Sequence, residues 1–399
     1  MTKRLIVSCL VLAASTARAQ DSAELLARLK AMEERIQTLE AEVRALKSPQ
    51  PGVPAAPAEA PVALGGAGGA AAKVFNPDIA VIGDFLGAAG NSSGRPGPAL
   101  EMHESEAAFQ AILDPYARAD FFISFGEQGV NLEEGYLTFP ALKGGFQLRA
   151  GKMRAAFGKI NTLHNHVLPW TDRPLVTQNL VGGEDGINDG GLSLSRIIPA
   201  PKGLFLEGTA QIFRGDSGDL FRSYNRDDVS AVGHLRAYKD ITESTNLDLG
   251  VSYSRGHSTI GSDAIDQLYG VDATLRYKPL RRAIYHSFIG RSEFVWSRFD
   301  QARLRATPFG YYVSGEYQFA RRWFLGGRFD RSERLADAAL VNTALLRDTG
   351  GSLLLTFWPS EFSQIRGQLR RTNYGENRIA NELLFQFQFS IGAHGAHTF

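Results

Sequence analysis

The segment that approaches the C-terminus alternates apolar and polar side chains without a break. One parity is apolar and the other polar: Leu383, Phe385, Phe387, Phe389, Ile391 and the final Phe399 against Gln386, Gln388 and Ser390. Successive side chains of a β-strand point to opposite faces, so the segment predicts a strand with one apolar and one polar face. Strands of this kind build transmembrane β-barrels. The pattern therefore predicts an all-β transmembrane barrel.

Bulk composition excludes several other classes of protein. The chain has 399 residues, with 43 basic and 42 acidic side chains, and this balance gives no indication of a nucleic-acid partner. Its mean hydropathy of -0.16 is too polar for a helical membrane protein, and after residue 19 no stretch reaches about 18 uninterrupted apolar residues. A barrel is compatible with this composition because only alternate residues face lipid.

Residues 1–19 have the features of a secretory signal peptide. Lys3 and Arg4 precede an apolar stretch, and Ala17-Arg18-Ala19 fits a small-residue cleavage site. The single cysteine, Cys9, lies in the apolar stretch, so the mature chain is expected to have neither disulfides nor thiolate metal ligands. A signal retained as a membrane anchor is the alternative.

Residues 21–47 carry a heptad repeat that predicts an α-helical coiled coil. The a and d positions are Leu25, Leu29, Met32, Ile36, Leu39, Val43 and Leu46. Flanking charges would pair with opposite sign in a parallel homo-oligomer, which favours self-association over a lone amphipathic helix lying on the barrel. β-branched residues at two a positions favour a dimer, whereas porin-like proteins are usually trimers.

Residues 48–73 form a Pro/Ala/Gly-rich linker. Its five prolines favour extended polyproline geometry, which rises about 3.1 Å per residue. Helix and linker together predict a stalk that reaches into the periplasm. A spacer without a partner and a tether to the cell wall are both consistent with this composition.

Residues 74–399 contain about sixteen alternating runs separated by turn signals, which predicts the strands of an antiparallel barrel. Every second connection is short, as at Asp114-Pro115 and Pro359-Ser360. The intervening ones are generally longer, notably 88–101, 154–189, 215–227, 257–265 and 333–344, with 126–129 as a short exception. Bacterial barrels have short periplasmic turns and longer outer loops. A soluble β-sandwich is the main alternative, but it would not require a signal peptide, a terminal Phe and alternating connection lengths together.

The order of signal, coiled coil, linker and barrel resembles the phosphate-selective porin O and P superfamily. Leu148–Met153 followed by Phe157-Gly158-Lys159 resembles its glycine-lysine strand and phenylalanine-glycine pair. Asn76–Ile79, and Gly392–His397 near a terminal Phe, resemble uncharacterised outer-membrane proteins, some labelled as zinc-regulated receptors. The resemblance implies a homotrimeric bacterial outer-membrane porin, without cofactor, for passive diffusion of small hydrophilic solutes.

The connection 154–190 is too long for a simple turn and is rich in charge. We predict that it folds into the lumen as a constriction, although a solvated external loop is the alternative. The charged residues assigned to this constriction are Arg154, Lys159, Asp172, Arg173, Glu184, Asp185 and Asp189. Wall arginines predicted to line the lumen include Arg149, Arg291, Arg366 and Arg370.

Phosphate selectivity would require a predominantly basic lumen, and the predicted inward charges nearly balance. The bases are Arg149, Arg236, Arg276, Arg291, Arg328, Arg366 and Arg370, against Glu104, Glu106, Asp120, Glu207, Asp248, Asp272, Glu293, Glu316 and Asp330. A general channel with weak charge preference is therefore expected.

Other functions are supported by fewer features of the sequence. His164 and His166 would share one face of an extended backbone and could contribute to a zinc site, which would need a third ligand. A substrate-specific transporter or receptor for anions or metal is the second hypothesis, although the region before the barrel has no room for a plug. No local motif groups a nucleophile with a base, so an enzyme is not expected. A surface adhesin is a further alternative, since trimeric adhesins also join a coiled coil to a barrel. Their coiled coil, however, is exported through the barrel and is much longer.

Overall fold

The computed structural model describes residues 30, 34, 35, 37, 38, 77–91, 98–126, 129–259, 261–301, 304–336, 344–375 and 377–392. The chain divides into two units, Met1–Gly65 and Gly66–Phe399. In the first unit, the five described residues are helical, and the Thr38 hydroxyl donates to the Glu34 carbonyl over 2.8 Å. The signal peptide, the seven predicted seam residues and the linker lie outside the described residues. Those assignments remain predictions.

The second unit is a β-sheet of seventeen described segments. The first nine are β1 (Asp78–Asn91), β2 (Leu100–Asp114), β3 (Ala117–Gly126), β4 (Gly129–Leu142), β5 (Phe146–Arg154), β6 (Asn188–Ile198), β7 (Leu204–Phe213), β8 (Ser230–Thr242) and β9 (Thr245–His257). The others are β10 (Ile265–Tyr277), β11 (Ser287–Gln301), β12 (Leu304–Ala306), β13 (Phe309–Ala320), β14 (Trp323–Leu335), β15 (Leu345–Ser360), β16 (Ser363–Tyr374) and β17 (Arg378–Gly392).

The sheet closes on itself as a barrel. Neighbours in sequence pair antiparallel, and β1 pairs with both β2 and β17. β12 and β13 both pair with β11 and follow one another along it, so they form one strand of the wall. The wall therefore has 16 strands, which confirms the predicted fold and strand number. None of the described helices is long and apolar enough to cross a membrane.

The barrel is apolar outside and polar inside. On β9, Leu249, Val251 and Tyr253 are 44%, 50% and 37% exposed, whereas Asp248 and Ser254 are fully buried. The same alternation places Leu369 of β16 on the outer surface and its polar neighbours on the inner one. An apolar outer surface suits a lipid environment, and many of the inward polar side chains hydrogen-bond to one another or to the loop that they contact.

Three connections differ in length from the prediction. β10 and β11 are joined by residues 278–286, which is longer than the expected turn at 279–283. On the opposite rim, two connections expected to be longer are short, at 302–303 and 375–377. The first is short because β11 and β12 continue to pair as far as Gln301 and Leu304. In the second, Asn377 adopts a left-handed conformation with φ 61° that reverses the chain tightly.

Candidate functional site

The connection between β5 and β6, residues 155–187, is termed the inner loop. It contains two 3-10 turns, Ile160–Thr162 and Asn165–Val167, and a short helix α1 (Leu175–Leu180). Most of its apolar side chains are buried, with Ala155, Ile160 and Val176 fully so. α1 contacts β11, β13, β14 and β15, and other loop residues bond inward side chains of the opposite wall. The loop therefore lies against the inner wall of the barrel.

An apolar patch on the inner wall receives part of the loop. The wall residues of this patch are Met153, Phe213, Val232, Leu268, Val295, Tyr312 and Leu354. The loop contributes Phe157, Leu168 and Trp170 to the same cluster, and the Trp170 ring meets Tyr312 edge-on at 5.1 Å. Burial of this apolar surface stabilises the loop without demanding a hydrogen-bond partner for each contact.

Asp172 fixes the middle of the inner loop to β14 and β16. Its carboxylate accepts hydrogen bonds from Arg328 (2.9 Å), Arg370 (2.7 Å) and Gln368 (2.6 Å). Burial tends to raise the pKa of Asp172, but the two guanidinium groups and the hydrogen bonds together hold it well below its usual range. Asp172 is therefore an ionised anchor that faces two buried arginines.

A second anchor holds the start of the loop to β9 and β11. The Glu293 carboxylate accepts hydrogen bonds from the backbone N–H groups of Lys159 (2.6 Å) and Ile160 (2.8 Å). Gly158 has φ +60°, and a side chain there would press on the same carboxylate. The Lys159 ammonium lies 2.6 Å from Asp248. Glycine is thus required where the backbone turns towards Glu293.

A third anchor joins the loop to β2 and β4 through His164. Its Nδ1 lies 2.5 Å from Glu106 and 3.0 Å from Glu133, and its Nε2 lies 2.9 Å from Glu134. Burial tends to lower the pKa of His164, but the hydrogen bonds to three carboxylates raise it well above its usual value. Arg154 adds a bond of 3.1 Å to Glu133. We define the carboxylate cluster as Glu104, Glu106, Glu133 and Glu134.

Two buried side chains brace the loop internally. Asn161 donates to the carbonyls of Ala155 (2.9 Å) and Ile187 (3.0 Å) and accepts from the Ile187 N–H (2.8 Å), which ties the two ends of the loop together. Arg173 donates to Asn165 and to two loop carbonyls. Burial lowers the pKa of Arg173 to about 9. Arg173 thus serves the fold of the loop.

Not all of the predicted constriction residues lie together. Asp189 is buried and accepts from the backbone N–H groups of Gly215 and Asp216, so it organises the connection between β7 and β8. Glu184 is 59% exposed and pairs with His103 at 2.8 Å. Asp185 is exposed, and its backbone carbonyl accepts a bond from Arg154.

The predicted wall arginines have different environments. Arg149 is exposed and lies over the Tyr136 ring, with 5.3 Å from guanidinium carbon to ring centroid. Arg291 is half-buried. Arg366 is buried and donates to the Leu168 carbonyl of the inner loop (3.0 Å) and to Gln386 (2.7 Å). Arg366 and Arg370 therefore meet the loop directly, whereas Arg149 does not contribute to its anchors.

Glu133 and Glu134 were not predicted to reach the site. Adjacent residues of a regular strand point to opposite faces, yet both are 8% exposed. The pairing of β3 with β4 steps from Phe122–Glu134 to Ile123–Leu132, so Glu133 is an extra, bulged residue. A β-bulge re-aims side chains in this way. The adjacent pair of acids was a weak signal of it in an otherwise alternating segment.

Comparison with known proteins gives a fold and a distant relative. No family model matches the chain. An uncharacterized protein of Aquifex aeolicus (strain VF5) is 28% identical over 389 residues, covering 82% of this chain and 81% of that protein. OmpF of Salmonella typhi, solved with daunomycin, has a TM-score of 0.54 at 10% identity, covering 80% of this chain and 99% of its own.

Two further solved structures show the same architecture. The outer membrane channel DcaP of Acinetobacter baumannii has a TM-score of 0.53 at 12% identity, covering 79% of this chain and 96% of its own. A loop-deletion mutant of the Vibrio cholerae outer membrane protein OmpT has a TM-score of 0.54 at 10% identity, covering 80% of this chain and 100% of its own. At such identities the likeness concerns the fold. The chain folds as a closed 16-strand antiparallel β-barrel of the outer-membrane type.

Proposed function

We propose that the protein is an outer-membrane porin that lets small hydrophilic solutes diffuse passively through a water-filled lumen. The observation that carries this proposal is the inner loop, which lies against the polar inner wall and is bound to it by charged groups. A 16-strand barrel is in the size range that leaves an aqueous channel. The neighbour described as an outer membrane channel adds support by fold. No catalytic role is assigned to any residue.

The inner loop is the proposed constriction. It contacts wall strands on several sides of the barrel through Asp172, Lys159 and His164. Asp248 meets Lys159, Arg236 and Arg276 at 2.6, 2.8 and 3.8 Å, so acids and bases face one another across short distances. Because mixed charges give a transverse field without one dominant sign, we expect weak ion selectivity. The phosphate preference suggested by the resemblance is not expected.

Planar-bilayer recording of the purified full chain tests the channel. Stepwise conductance and a reversal potential near zero in a salt gradient are the expected results. Replacing residues 162–180 by a short Gly-Ser link should enlarge the unit conductance, because it removes the proposed constriction while leaving the ends of the loop. Absence of conductance from folded wild-type protein would contradict the channel, and a strong anion or cation preference would contradict the weak selectivity.

We extend the proposal to assembly and location. The barrel would lie in the bacterial outer membrane as a homotrimer, with the predicted coiled coil in the periplasm and the cell wall as a candidate contact. The mass of the detergent-solubilised oligomer, with and without residues 20–73, tests whether the predicted stalk sets its stoichiometry. Protection of the stalk from protease added to intact cells tests its periplasmic side.

A solute-specific transporter or receptor for anions or metal is the second candidate. The feature that favours its metal-binding form is the carboxylate cluster at His164, because carboxylates attract cations, whereas no comparable feature among the described residues favours the anion-binding form. Competition of candidate solutes with ion current would distinguish the two functions. A general porin shows current block that scales with solute size, whereas a specific transporter shows saturable block by one chemical class.

A further inference from the structure

We propose that Glu104, Glu106, Glu133 and His164 form a binding site for a divalent transition-metal ion, which would cross-link the inner loop to the wall. One ligand atom from each of these four residues lies within 4.8 Å of the other three. All four side chains are buried. The sequence suggested His164 and His166 as a metal pair, and the structure replaces the second histidine by three carboxylates.

Backbone geometry brings these residues together from three parts of the chain. Glu104 and Glu106 are two apart on β2, so both point into the barrel. The bulge on β4 turns the Glu133 side chain into the barrel, and β3 lies between β4 and β2. His164 lies between the two 3-10 turns with extended backbone (φ −70°, ψ 158°), which directs its ring to the same place.

Glu104 is the feature that a structural anchor does not explain. The residue is 6% exposed, and no nitrogen or hydroxyl donor among the described residues hydrogen-bonds to its carboxylate oxygens, which lie against the Glu133 carboxyl instead. The nearest ion-pair nitrogen, His166 Nδ1, is 3.6 Å from its Oε2. A buried carboxylate without a hydrogen-bond donor is costly to keep ionised unless a cation compensates its charge. Its oxygens face the other three ligand atoms, where a metal ion would sit.

Charge balance supports the same conclusion. The carboxylate cluster comprises four acidic side chains, and the basic groups within ion-pair distance of it among the described residues are Arg154, His164 and His166. A divalent ion would neutralise the remaining carboxylates without placing another ionised side chain in the interior.

The hydrogen bond between His164 Nε2 and Glu134 also suits a histidine that binds a metal ion through Nδ1. His164 Nδ1 faces Glu106 and Glu133, and Nε2 lies 2.9 Å from Glu134. On binding, the ion would replace the proton on Nδ1, which leaves to solvent, while Nε2–H keeps donating to Glu134. Histidine ligands usually donate their other N–H to a carboxylate or carbonyl in this manner. Three carboxylates with one imidazole suit Zn²⁺, Mn²⁺ or Fe²⁺.

Metal analysis of the full chain in detergent tests the site. The background variant His394→Ala/His397→Ala removes the C-terminal histidines, so that they would not contribute binding of their own. After chelation, it is titrated separately with Zn²⁺ and Mn²⁺, and bound metal is counted after gel filtration. One tightly bound ion per chain is expected for at least one of them. Co²⁺ should show the absorption spectrum of a nitrogen and oxygen site.

Glu104→Gln is the informative substitution, because it removes the charge of one ligand at nearly constant side-chain size, and Glu104 accepts no hydrogen bond from a nitrogen or hydroxyl donor among the described residues that the change would break. We expect it to weaken metal binding at least tenfold. Asp272→Asn is the matched control, because Asp272 on β10 has a carboxylate that is only 1% exposed. This variant should bind metal as tightly as the background variant does. Heat-modifiable migration on gels verifies that each barrel is folded. Failure of both metals to bind, or equal binding by Glu104→Gln and the background, would overturn the proposal.

The site and the channel are tested separately. Metal binding is measured in detergent without any ion current, and its loss in Glu104→Gln would stand even if the barrel conducted nothing. Conversely, a conducting barrel that binds neither metal would retain the proposed channel and lose the site.

Discussion

The carboxylate of Asp172 accepts a hydrogen bond of 2.7 Å from the guanidinium of Arg370, although the two residues are 198 positions apart in the chain. Arg370 also binds Glu382 of the neighbouring strand over 2.6 Å. The loop anchor is therefore continuous with the pairing of β16 and β17. A change at Asp172 should affect the loop and the adjacent wall together.

Asp172→Asn should destabilise the folded barrel. The substitution leaves Arg328 and Arg370 buried with one counter-charge fewer. Each keeps a second carboxylate, Asp330 and Glu382 respectively, so the cost should be less than the roughly 3–5 kcal/mol of leaving a buried charge uncompensated. The temperature at which the folded band disappears on gels should fall. Asp185→Asn is the control, since Asp185 is exposed and contributes its backbone carbonyl to Arg154. Equal unfolding temperatures for both variants would contradict the anchor.

The contribution of Asp172 should depend on pH in one direction. Its pKa is lower in the folded state than in the unfolded state, where it is about 3.9. The stabilisation is therefore complete above the unfolded pKa and is lost as pH falls through the folded pKa. The stability difference between wild type and Asp172→Asn should stay constant from neutral pH to about 5 and shrink only in stronger acid. Loss already between pH 7 and 5 would contradict this assignment.

Asp248→Asn should shift ion selectivity towards anions. The substitution removes the carboxylate that faces Lys159, Arg236 and Arg276, and three cations then lack its charge. Reversal potentials in a salt gradient measure the shift, and raising the ionic strength should reduce it through screening. Asp240→Asn at the end of β8 is the control, because its carboxylate accepts from Tyr238 in an exposed position. Unchanged ion selectivity in Asp248→Asn would show that Asp248 and its three basic partners lie away from the ion path.

Leu369→Arg should weaken the barrel through its outer surface. Leu369 is 57% exposed in the middle of β16, and arginine facing the centre of a bilayer costs about 2–4 kcal/mol. Leu100→Arg, at the outer end of β2, should cost about 0–1 kcal/mol because it lies near the interface. Unfolding in lipid vesicles compares the two variants. Equal effects would show that the two positions do not differ in bilayer depth.

The alternating pattern made the strands predictable residue by residue. On β9, Leu249 and Val251 are exposed on the outer surface and Asp248 and Ser252 are buried inside, which follows from the two-residue period of a strand and the alternation of apolar and polar residues in the sequence. The connection 155–187 was recognisable by its length and charge. Its individual contacts were not, since they join residues more than a hundred positions apart.

The sequence by itself determined the barrel, because a lipid exterior and a polar interior impose the same two-residue period on every strand. It also marked Glu104, Glu106 and His164 as inward or loop candidates. Only the tertiary structure decided which charges meet. The bulge at Glu133 adds a carboxylate that a regular strand would point outward, and closure of the sheet sets Asp172 against Arg328 and Arg370. Side-chain encounters across a closed wall depend on register and loop path, which no local pattern encodes.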